Sequence, residues 1–247
     1  MSRSHLALAC AVTSALAVAL AAPLAFAGDK NIDKVMGSIT AHSGESYGTL
    51  NTVNGSIRVE TGAKAKSIAT VNGGVDLESG AQVGNAETVN GGIEAGDNVQ
   101  AGALETVNGS IRLGKQNRAH HVETVNGSVF ADRGSSIEKN IETVNGAIGI
   151  VDTDLGGSIA TVNGDITVGV DSHVRGGITI EKPSGNWTPV NISSKRKPRV
   201  IIAQGAVVDG PLVFKREVHL YVHSSAKIGA ITGATAVRYD GANAPKD

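Results

Sequence analysis

Thr52-Val53-Asn54-Gly55 recurs six more times along the chain, with its asparagines at Asn54, Asn72, Asn90, Asn108, Asn126, Asn145 and Asn163. The step is 18 residues except between Asn126 and Asn145, where it is 19. A fixed period of this length marks a stacked repeat, in which one unit cannot bury its apolar face without neighbours above and below.

Reading each repeat from its threonine, the second column is always valine (Val53 to Val162) and the sixth is isoleucine or valine (Ile57, Val75, Ile93, Ile111, Val129, Ile148, Ile166). The eighth is aliphatic throughout, and further columns run through Ala65, Val83, Ala101 and Ile137 and through Ile68, Leu104, Val122 and Ile159. From Ser56 to Val59 polar and apolar residues alternate, which makes a strand with one buried face. The pattern predicts about three short strands per repeat, separated by glycine-containing corners, with about five aliphatic side chains buried in each coil.

Asn-Gly also suits the two-residue turn of a β-hairpin, so an antiparallel meander is the competing architecture. A meander needs a second, equally regular turn in each repeat, yet the opposite stretch varies between Gly62-Ala63-Lys64, Gly96-Asp97-Asn98 and Lys115-Gln116-Asn117. The extra residue of the longer step falls between Gly134 and Ile141, where a corner can bulge without shifting the strands. The sequence therefore favours an all-β parallel β-solenoid of 18-residue coils. Coils about 4.8 Å apart would turn each column into a stack. The seven asparagines become an amide ladder, buried and self-satisfied, and the glycine after each supplies a left-handed corner.

The N-terminus carries Arg3, an apolar run from Leu6 to Ala22 and the small-residue site Ala25-Phe26-Ala27, which together read as a secretory signal peptide over residues 1–27. Residues 28–247 contain no cysteine, so no disulfide framework supports them. They carry 21 Lys and Arg against 23 Asp and Glu, which gives no general attraction to nucleic acid. Only six aromatic residues follow the leader, as expected of a thin aliphatic core. Residues 28–180 form the repeat array, entered through the degenerate Val35-Met36-Gly37-Ser38-Ile39. Residues 181–198 hold three prolines and the only tryptophan, and read as a protruding loop. Strands resume over 199–239, and 240–247 is a polar tail suited to shielding the last edge, leaving a mainly monomeric rod with weak end-to-end association.

The Asn-Gly array behind a signal peptide resembles exported adhesin-type β-strand repeat families of unknown function. Gly205-Ala206-Val207-Val208-Asp209-Gly210 and Ser225-Ala226-Lys227-Ile228-Gly229 are similar to the coils of bactofilins, polymer-forming bacterial cytoskeletal proteins. The resemblance implies a right-handed β-helix and brings no catalytic residue with it. An exported, non-enzymatic structural or adhesive solenoid of the periplasm or cell surface is the resulting expectation. A carbohydrate-active β-helix lyase or hydrolase, working from a groove lined by acids or basic residues, is the alternative.

Individual candidates are weaker. His120, His121 and His173 lack metal-ligand spacing, and Asp152 and Asp154 lack a calcium motif, so all five read as solvated wall residues and no cofactor is expected. Arg58, Asp76, Glu94 and Arg112 share one column and read as charge pairing between coils. Trp187, Lys195, Arg196, Lys197 and Arg199 form a possible anionic-ligand loop, suited to a cell-surface glycan or an envelope protein.

Overall fold

The computed structural model describes residues 30–183 and 196–246; the leader, Trp187 and Lys195 lie outside the described residues. Eleven turns of parallel strand build two continuous sheets. One, of 11 strands, contains the three-residue segments Ile39–Ala41, Ile57–Val59, Val75–Leu77 and their successors, and ends in Arg199–Ile202, His219–His223 and Ala236–Tyr239. The other, of 16 strands, begins with the long segments Lys30–Met36, Ser46–Asn54 and Lys64–Asn72. Register is kept from coil to coil: Ile57 faces Val75, and Asn54 faces Asn72. Among the described residues no helix is long and apolar enough to cross a membrane.

The inward residues show why these segments form walls. Ile57 and Val59 point in from one wall, Ala63 and Ala65 from a second, and Ile68 and Thr70 from a third. Within a wall the inward positions alternate by two, and at each corner the spacing widens, so the coil has three sides. The three strands expected per repeat are nevertheless two in the early coils, because hydrogen bonding continues round the corner at Lys66 within the single strand Lys64–Asn72. The 19-residue step breaks this continuity. Ala119 faces Ile137 at a step of 18, but Val122 faces Ile141 at 19, so the added residue lies at 138–140. From there the long strand is two strands, Ser136–Ile137 and Ile141–Asn145.

Three readings of the repeat are corrected. The second-column valines face outward and are half-buried, while the threonines before them are the buried partners; Thr106 and Thr161 are 0% exposed. The fifth inward side chain of the coil comes instead from the Ala63, Ala81, Val99 column. The asparagines lie on the exposed surface, not in the core.

The glycine after each asparagine does not adopt a left-handed backbone. That conformation belongs to the variable corner opposite, at Gly44, Gly62, Gly80, Asn98, Gln116, Gly134, Asp152, Asp171 and Gly205, with φ between 43° and 76°. The invariant glycines are required for close approach. A Cβ on Gly73, Gly91, Gly109 or Gly127 would run into the carbonyl oxygen of the equivalent glycine one coil earlier.

The two ends of the core differ. At the first coils Tyr47 is 4% exposed, and its hydroxyl donates to Glu45 at 2.7 Å, which also receives Lys30 Nζ at 2.7 Å. At the other end Ile228, Ile231, Ala234 and Ala236 are only partly buried against the core. The polar tail makes a contact reaching past the last strand. Its Ala244 and Pro245 carbonyls accept from Arg199 Nη2, on a strand two places in from the end of the sheet.

Candidate functional site

The asparagine stack is a continuous one-way chain. Each Nδ2 donates to the Oδ1 of the preceding coil at 2.9–3.0 Å, from Asn72 to Asn54 through Asn163 to Asn145. Amides aligned in this way polarise one another, and the oxygen end of the chain carries partial negative charge. That end is Asn163, whose Oδ1 accepts from the Arg216 guanidinium at 2.7 Å. Inside the core a second ladder runs alongside: Thr70, Thr88, Thr106 and Thr124 each donate Oγ1 to a corner glycine carbonyl at 2.8–2.9 Å. It stops at Thr161, whose buried hydroxyl has no partner.

Three of the cations expected to meet an anionic ligand, Arg196, Lys197 and Arg199, have partners among the described residues. Arg196 pairs with Asp165 at 2.6 Å and Lys197 with Glu217 at 2.9 Å. The Arg199 guanidinium stacks over Tyr221, 5.0 Å from the ring centre, and holds the tail. A depression of about 200 Å³ separates Arg196 and Arg216 from Gly146 and Gly164. The column of Arg58, Asp76, Glu94 and Arg112 does pair between coils, with Arg58 to Asp76 at 3.0 Å and Arg112 to Glu94 at 3.4 Å. Asp76, Glu94 and Arg112 of this column form one side of an open groove of about 610 Å³, whose lining also includes Glu78, Asp132 and the exposed ring of Phe130. Glu78 accepts from the Thr61 amide and hydroxyl.

The histidines meet stacked carboxylates. His120 Nδ1 lies 2.9 Å from Glu138, and His173 Nε2 lies 2.7 Å from Asp209. Asp154 pairs with Arg175 at 2.8 Å, and Asp152 occupies the left-handed corner, so the two aspartates do not act as a carboxylate pair. Among the described residues no group of three or more His, Cys, Asp or Glu side chains is arranged to hold a metal ion.

One cluster escaped the sequence reading. Glu87, Glu105, Glu123 and Glu142 stack in register on consecutive coils of the outer wall. The signal is the glutamate before the threonine in four successive repeats. Burial, followed by repulsion from Glu142 and Glu105, pushes the Glu123 carboxyl up to about 7, and burial next to Glu105 raises Glu87. His121 Nε2 sits 3.5 Å from Glu123 and 3.7 Å from Glu105, buried and without a hydrogen bond.

No protein family, curated protein or solved structure matches the chain.

Proposed function

We propose that this protein is an exported, non-enzymatic β-solenoid scaffold of the bacterial cell envelope, delivered by residues 1–27 and acting as a structural or adhesive rod on a surface glycan or envelope protein. The observation that carries the reading is the use made of its polar side chains. Amides, hydroxyls and wall charges such as Arg58, Asp76, Glu94 and Arg112 are directed at the coil above or below, an arrangement that favours a continuous rod over a convergent reacting centre. Arg196, Lys197 and Arg199 hold neighbouring parts of the same chain, so adhesion falls to the walls and not to that basic run. The rod is mainly monomeric, and its partly buried terminal core residues give weak end-to-end association. Pull-down from envelope fractions with the leaderless chain tests the reading: a specific glycan or protein should be retained, and retention of none would reject the adhesive role.

The groove beside Phe130 supports the second reading, a carbohydrate-active β-helix enzyme, because four carboxylates and Arg112 line it. Release of reducing ends from envelope polysaccharide, abolished in Glu94→Gln, would establish that reading and displace the scaffold.

A further inference from the structure

We propose that the Glu87, Glu105, Glu123 and Glu142 stack, with His121 set against it, is a pH-operated element that holds the middle coils together at mildly acidic pH and loosens them as the pH passes neutrality.

Four carboxylates project from adjacent, in-register strands, so their spacing follows the roughly 4.8 Å distance between strands. Glu123 lies between two of them, and only 9% of its side chain is exposed. The groups facing it are Glu105 on the preceding coil with Glu87 beyond, His121 on its own strand, and Glu142 on the following coil. Glu142 is itself oriented by Asn140 Nδ2, which donates to it at 3.0 Å. A fully ionised stack would place like charges directly opposite one another on neighbouring strands, which is destabilising.

A proton on Glu123 changes the sign of the contact. The protonated carboxyl has one O–H to donate, and a neighbouring glutamate is the acceptor next in line, so a repulsion becomes a hydrogen bond. His121 Nε2 lies between the two carboxyls, 3.7 Å from Glu105 and 3.5 Å from Glu123. The direction of the response follows. Burial and repulsion raise Glu123 from 4.5 to about 7, so the folded chain keeps a proton that the unfolded chain releases. The stabilisation is complete below about pH 4.5 and is lost as the pH rises through about 7. Carboxylates held low by cations, such as Glu45 beside Lys30 and Glu217 beside Lys197, give the opposite slope, and they do so at more acidic pH.

Urea unfolding of the purified protein, Glu123→Gln and His121→Gln at pH 5, 6, 7 and 8, with EDTA present throughout, tests the element. The unfolding equilibrium constant of the parent protein should rise on the order of a hundredfold from pH 5 to pH 8. Glu123→Gln should remove most of that rise, and His121→Gln should retain it. Carbon-detected NMR of the parent should show one glutamate carboxyl titrating near neutrality, a readout that does not depend on either variant folding. A parent midpoint that is level across this range would overturn the proposal. So would a slope that survives in Glu123→Gln and disappears in His121→Gln, because the imidazole would then be the responding group.

Discussion

The repeat array and the coils that follow it build the same three-sided turn with different chemistry. In the array, a threonine faces the core at the third wall and its hydroxyl satisfies a corner carbonyl, as in Thr106 to Gly91. Beyond Thr161 the same register position becomes Ile180 and then Phe214, and the asparagine ladder gives way to the Arg216 guanidinium. The array is thus held by a polar chain inside and another outside its corner, the later coils by larger apolar side chains such as Phe214, Leu220 and Tyr239. Corner chemistry and core volume substitute for one another. The segment 181–198 enters where the array would place an Asn-Gly corner, so it displaces the feature that the later coils no longer need.

The largest expected effect tests whether the array corner is closed to any side chain. Gly127→Ala places its Cβ against the Gly109 carbonyl, which is backbone and cannot swing aside, so a loss of about 3 kcal/mol or more is expected. Gly62→Ala, left-handed but with open space around it, should cost only about 1 kcal/mol. Thermal unfolding of both decides the point, and equal losses would contradict close approach as the reason for the invariant glycines.

The second experiment exchanges the two chemistries. Phe214→Thr gives a later coil the array's residue without its carbonyl partner and should cost about 3 kcal/mol in cavity and lost contact. Thr124→Val removes the bond to Gly109 at nearly constant volume and should cost about 1 kcal/mol. If the two losses were the same in denaturant titration, the distinction between the regions would fail.

The smallest effect concerns the outer ladder. Asn108 both donates to Asn90 and accepts from Asn126, whereas Asn54 accepts from Asn72 but donates only to the Val35 carbonyl at 3.5 Å. Alanine at 108 should lower stability by about 1 kcal/mol, and at 54 by a few tenths less, because both amides are exposed to water. Matching denaturant midpoints for the two variants would argue against a cooperative amide chain.

The period, the parallel stacking, the asparagine ladder and the site of the extra residue were legible because each is a matter of spacing. What each repeated residue faces was not. Thr52 and Val53 are both β-branched, and only the phase set by the corner at Gly48 decides that threonine points inward. Asn-Gly is a turn signal in its own right, so the sequence could not reveal that Gly73 is needed by the backbone of a different coil. The partners of the basic residues were equally hidden. Arg196 reaches Asp165 and Arg199 reaches Ala244, 31 and 45 residues away. The glutamate stack was visible as a column, but its unusual proton affinity comes from burial on an outer wall, which alternation alone does not predict.

Because each array coil presents the same corner above and below, the length of this part of the rod is a counted quantity. Removing residues 91–108 would bring Gly109 onto Gly73 while Thr88 keeps the Gly73 carbonyl and Thr124 the Gly109 carbonyl, restoring every ladder in register and shortening the rod by one strand spacing, about 4.8 Å. Repeats of this kind are interchangeable rungs that duplication or deletion can add and subtract whole. The insertion at 181–198 marks where that freedom ends, since the coils beyond it no longer share the corner on which the counting depends.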